Sequence, residues 1–187
     1  MWSSCCDEPR DRRGRISLAG VTHGGEAALP ELVRPFAFLL GTWRGEGVGG
    51  YPTIGADFRF GEEITFSCYG KPVLAYTTRT WALEDNRPLH REVGFWRPTG
   101  DDQVEVVLAI ASGLVEVLYG SIVDGVSGDY VELESDAIGA TPTAKQVDKD
   151  KRMYAVRGGK LMYAIEMAAM GQGLQPHLSA TLDPALP

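Results

Sequence analysis

Basic charge is in short supply: 18 Lys and Arg stand against 25 Asp and Glu, for a net charge of −7 over 187 residues. Phosphate contacts need a basic face, so a nucleic-acid surface is not expected. Cysteine is nearly absent, with Cys5 and Cys6 adjacent and Cys68 alone. Neighbouring cysteines bridge each other poorly, and no Cys-x-x-Cys pair or His/Cys cluster occurs, which argues against a disulfide framework and a structural zinc. Long apolar runs are missing too. The longest candidate, 104–123, is broken by Glu105, Gly113, Glu116 and Gly120, whereas a spanning helix needs about 18–20 apolar residues. The charge-dense stretch 7–15 stands where a secretory signal would be apolar. A single cytoplasmic domain, with no membrane partner, is the expectation. Histidine is equally scarce, at three.

What is present is a globular composition, 44% hydrophobic and 23% charged, enough to build a core of normal size. Residues 1–29, rich in arginine and glycine with few apolar anchors, are expected to form a disordered leader. Residues 30–184 are expected to form the domain. Helical spacing occurs once, where Leu32, Phe36, Leu39 and Leu40 make one apolar stripe behind Pro30, with Pro35 shortening the helix and Gly41 ending it. Beyond it the period changes to two. Alternating stretches at 55–68, 73–83, 104–110, 114–123, 130–137, 152–156, 160–167 and 178–182 are separated by Gly, Asn, Asp and Pro turn signals. Short strands joined by tight turns predict an all-β antiparallel meander of about ten strands. Closure into a barrel removes its edges. Such a barrel encloses a small molecule or is filled by side chains.

Gly41-Thr42-Trp43-Arg44-Gly45-Glu46-Gly47 opens the first strand. Gly45 and Gly47 permit bends or close backbone approach, and the Trp43 ring is large enough to seal one barrel end. Among the histidines, His23 lies in the leader, His90 beside a strand, and His177 at the entry to the last strand. One imidazole cannot make a protein-only metal site, but it suffices where a porphyrin supplies four donors; a hydrogen-bonding role is the alternative. No nucleophile elbow or phosphate loop is present. The acid pairs Glu62-Glu63, Asp101-Asp102 and Glu132/Glu134 are read as solvated strand faces or turns.

The segments 35–47 and Tyr51-Pro52-Thr53, then 89–94, then 167–182 with its Gln-Pro-His-Leu ending, together resemble the nitrobindins, a family of haem-binding β-barrels. The match is collinear from about Glu31 to Leu182, and Gly41, Trp43, Gly45 and Gly47 fit the family's Gly-x-Trp-x-Gly-x-Gly motif. The resemblance implies a ten-stranded barrel like that of fatty-acid-binding proteins, with one ferric haem b near one end. It implies His177 as the proximal iron ligand, Thr53 at the haem, His90 and Met167 lining the cavity, and Lys145 or Lys149 at a propionate. On the strand at 160–167, Leu161, Tyr163, Ile165 and Met167 are expected to face inward.

It further implies nitric oxide binding and the isomerisation of peroxynitrite to nitrate, in an apolar pocket that keeps the reacting fragments together. Two other functions stay open on the sequence: a nitric oxide carrier or sensor without physiological catalysis, and a haem-free lipid-binding barrel in which His177 is structural. A monomer or homodimer is expected.

Overall fold

The structure, a computed structural model, describes residues 28–126 and 128–185. The leader expected over 1–29, with Cys5, Cys6 and His23, falls almost wholly outside the described residues. A 3₁₀ helix, Glu31–Leu39, leads into ten strands: β1 Gly41–Gly49, β2 Phe58–Cys68, β3 Leu74–Ala82, β4 Pro88–Gly100, β5 Gln103–Ile110, β6 Leu114–Val123, β7 Tyr130–Ala140, β8 Val147–Arg157, β9 Lys160–Ala169 and β10 Gln175–Pro184. Each pairs antiparallel with the next, and β10 returns to β1, closing the barrel.

The expected helical stripe is corrected at its register. Val33, Phe36 and Leu39 are the buried residues, while Leu32 is 41% exposed. The cause is the 3₁₀ winding around Pro35, in which positions i, i+3 and i+6 eclipse. The helix plugs one end, where Trp43 donates its indole N–H to the Leu39 carbonyl at 2.8 Å. Behind the plug, Trp96 meets Phe66 and Tyr154 edge-on, each pair at 5.2 Å between centroids, a favoured aromatic geometry.

Period-two alternation sets what faces inward. Val104, Val106, Leu108 and Ile110 of β5 are all buried, as are Leu161, Tyr163 and Ile165 of β9. Gly45 and Gly47 are needed for close approach: a Cβ on Gly47 would lie 2.4 Å from the Phe60 ring and 2.9 Å from the Ser179 carbonyl.

In an antiparallel meander alternate connections fall at the same end. The β1–β2, β3–β4, β5–β6, β7–β8 and β9–β10 connections therefore gather opposite the plug and form a mouth. That mouth is widened because β7 and β8 pair only over Val131–Glu134 and Lys151–Tyr154 before parting. Among the described residues no helix is long and apolar enough to cross a membrane.

Candidate functional site

A cavity of about 880 Å³ runs inward from the mouth, within the range of small-molecule and cofactor sites. Thr53, His90, Lys145, Met167 and His177 all line it. Lys149 does not. Its side chain alternates to the outer face of β8 and pairs with Glu134 of β7, so the two lysines are separated by the barrel wall.

His177 occupies a β-bulge. Pro176 pairs with Glu166 and Leu178 with Ile165, which leaves His177 unopposed on β9. Proline donates no ladder hydrogen bond and is tolerated at such irregularities, and a bulge re-aims the side chain it carries. Two contacts with Gly50 fix the residue: the Gly50 amide donates to the His177 carbonyl at 2.9 Å, and His177 Nδ1 lies 3.1 Å from the Gly50 carbonyl oxygen. A carbonyl only accepts, so Nδ1 carries a proton and, in the neutral ring, Nε2 keeps its lone pair. No described residue hydrogen-bonds Nε2. The imidazole also borders an outer groove of about 760 Å³, so it stands where the cavity meets the surface.

Tyr51 supports this arrangement, with a contribution that the sequence did not reveal. Its ring packs edge-on against His177 at 5.4 Å. Its hydroxyl accepts from the Ala169 amide at 2.8 Å and faces the Met167 and Ala169 carbonyls at 3.2 Å. The β1–β2 loop bearing Gly50 is thereby tied to the end of β9. Thr53 lies exposed in the turn closed by the Ile54 amide on the Tyr51 carbonyl at 2.8 Å.

On β4, His90 Nε2 lies 3.1 Å from Glu92 Oε1. Glu92 leads to a buried ion cluster that sequence reasoning missed. Arg152 donates to Glu92 through both terminal nitrogens, at 2.8 and 3.2 Å, to Glu116 at 2.7 Å and to Asp150 at 3.1 Å. Burial alone would raise the Glu92 carboxyl; the Arg152 guanidinium and the His90 contact override it and hold it at about 2. Burial pushes Glu116 up to about 7 against the pull of Arg152. Glu62 is likewise lifted to about 7 by burial, opposed by hydroxyls of Tyr163 and Thr78.

The expectation for the acid pairs thus needs correcting at Glu62, which is 4% exposed and lines the cavity. Glu63 points outward to Arg79. The inward phase Phe60, Glu62, Ile64, Phe66 was the available signal, since adjacent strand residues must face opposite ways.

Among the described residues no three His, Cys, Asp or Glu side chains are grouped to hold a metal ion. The donor set does fit a porphyrin iron. It offers one neutral imidazole with a fixed tautomer and an unpartnered nitrogen, beside a cofactor-sized cavity with a cation at its mouth. Fold and site together define a ligand-binding barrel whose mouth carries a single available imidazole. Residues 32–183 match the family model of the THAP4-like, heme-binding beta-barrel domain. The chain belongs to this family of haem-binding barrels, the nitrobindins.

Its relatives include a "Peroxynitrite isomerase Rv2717c" of Arabidopsis thaliana, 46% identical over 81% of this chain and 87% of the relative. The peroxynitrite isomerase of Streptomyces griseus is 42% identical over 85% of this chain and 86% of its own. The crystal structure of Rv2717c from M. tuberculosis superposes with a TM-score of 0.78 at 42% identity, covering 85% of this chain and all of that one.

Proposed function

We propose that this chain is a haem-dependent peroxynitrite isomerase, holding one ferric haem b on His177 Nε2. The observation that carries the assignment is the bulged His177, its Nδ1 engaged by Gly50 and its Nε2 free at the rim of a cofactor-sized cavity. The names of the relatives support the substrate.

When bound, ferric haem would supply the Lewis-acidic iron for the isomerisation of peroxynitrite to nitrate. The chain's own part is to hold and to exclude. Gly50 fixes the imidazole tautomer, and Tyr51 fixes the loop that carries Gly50. Ile165, Met167 and Leu178 give the cavity apolar wall near the imidazole, which disfavours loss of reactive fragments to water. Lys145 offers a mouth cation to a propionate and Thr53 a hydroxyl beside it, whereas Lys149 is engaged outside by Glu134. Nitric oxide binding, a cytoplasmic location, a working domain of 30–184 and a monomer or homodimer belong to the same proposal.

The buried charges weigh against the lipid-binding alternative. A fatty-acid carboxylate entering the barrel needs a free deep cation, and Arg152, the one buried cation among the described residues, already faces three carboxylates.

The test is an absorption titration of the chain with ferric haem beside His177→Ala. A saturable one-to-one Soret change, largely lost in the variant, is expected, followed by accelerated peroxynitrite decay with nitrate as product. A Soret change indifferent to His177 overturns the assignment.

A further inference from the structure

The deep interior holds more negative charge than it balances. Arg152, 2% exposed, is the shared partner of Glu92, Glu116 and Asp150. Glu62 makes no ion pair among the described residues. Thr78 Oγ1 donates to its Oε1 at 3.0 Å, while its Oε2, buried on the cavity wall, has no hydrogen-bond partner among the described residues. Above pH 7, where Glu62 and Glu116 give up their protons, four carboxylates therefore stand against one guanidinium. A buried, unpartnered carboxylate oxygen carries a desolvation penalty, so its presence at a ligand cavity asks for a role.

The surrounding groups do not cancel the excess. From β3 and β9 come the Tyr76 and Tyr163 hydroxyls, which burial lifts well above their ordinary range, and from β8 comes Tyr154, pushed up to about 12. All three are neutral at physiological pH. From β4 comes His90, already against Glu92, and from β10 His177, which the haem itself engages. Arg59, Glu84, Arg87 and Lys145 line the cavity only at exposed positions, where water and salt screen them.

Resting on the haem assignment above, we propose that this floor of Glu62, Glu92, Glu116 and Asp150 holds the bound iron in its ferric state, with Glu62 as the uncompensated member. Ferric haem carries one more positive charge than ferrous haem, and anions in a poorly screened interior stabilise the more positive form. Burial and local charge are among the levers by which a protein sets a haem potential.

Midpoint potentials of the haem-loaded full chain at pH 8 test this, for the native chain, Glu62→Gln, Glu116→Gln and Glu63→Gln. Glu62→Gln keeps the shape and the Thr78 bond while removing a charge that no cation holds, so it preserves the fold even if Glu116→Gln disturbs Arg152. Both floor variants are expected to shift the potential positive. Glu63→Gln, on the outer face of the same strand, is expected to leave it unchanged. Chains that share the native Soret titration but show equal potentials for native and Glu62→Gln overturn this inference and leave the haem assignment standing. A native chain with no saturable Soret change overturns both.

Discussion

Tyr51 shows how much one hydroxyl can organise. It is 7% exposed, and its oxygen serves the Ala169 amide and the carbonyls beside it. Tyr51→Phe strands a buried donor, which costs about 1–3 kcal/mol. Because the same loop carries Gly50, the proposed iron ligand loses its brace as well. The expected outcome is a lower urea midpoint together with weaker haem capture, measured on one preparation. Unchanged haem affinity would show that Gly50 holds His177 without the tether. Gly47 makes a complementary case in which nothing can be added. A Cβ there meets the buried Phe60 ring at 2.4 Å and the Ser179 carbonyl at 2.9 Å, and the backbone of β10 cannot retreat without opening the β1–β10 ladder. Gly47→Ala is expected to destabilise by about 1–3 kcal/mol, as overpacking does, read from chemical denaturation.

At the scale of elements, the plug separates two periodicities. A 3.6-residue stripe buries Leu32, whereas the 3₁₀ winding buries Val33, Phe36 and Leu39. Phe36→Ala is expected to cost about 3–5 kcal/mol, and Leu32→Ala to fall within about 0.5 kcal/mol of native. Equal losses at the two positions would contradict the observed winding. The helix was legible in Pro30, Pro35 and Gly41, but its type was not, because the choice between i+3 and i+4 bonding around an internal proline is settled by packing on Trp43 and the barrel end. The strands were legible because alternation and turn residues agree along 104–110 and 160–167. The bulge at His177 was not, since it is defined only by how Pro176 and Leu178 pair with β9. Lys145 and Lys149 look equivalent in a sequence, yet the pleat sends Lys149 outward to Glu134. Glu62 and Glu116 carried a readable phase within otherwise apolar inward sets. Nothing in β6 revealed that Arg152 would arrive from β8 as the partner of Glu116, whereas Asp150 stands two residues from Arg152 on the same strand.

At the scale of the whole molecule, the buried acids make folding depend on pH in two opposed directions. Glu92, lowered to about 2, stabilises the fold above its unfolded value near 4.5. That contribution is lost as pH falls from there towards 2. Glu62 and Glu116, raised to about 7, act the other way. Between pH 4.5 and 7 the folded chain holds their protons while the unfolded chain has released them. Stability from these two groups is therefore full below pH 4.5 and is lost as pH rises through 7. The haem-free chain should thus be most stable near pH 4.5–5, weaken towards pH 7–8, and level off above. Glu62→Gln removes one such proton-holding site. Its stability relative to the native chain should rise from pH 5 to pH 7 by up to about 1.4 kcal/mol per pH unit, the limit for one proton. Urea unfolding of both chains at pH 5, 6, 7 and 8 checks this. A difference that stays constant across the series would mean that Glu62 does not change its protonation between pH 5 and 8. A difference that widens and then levels near pH 8 would locate the proton on Glu62.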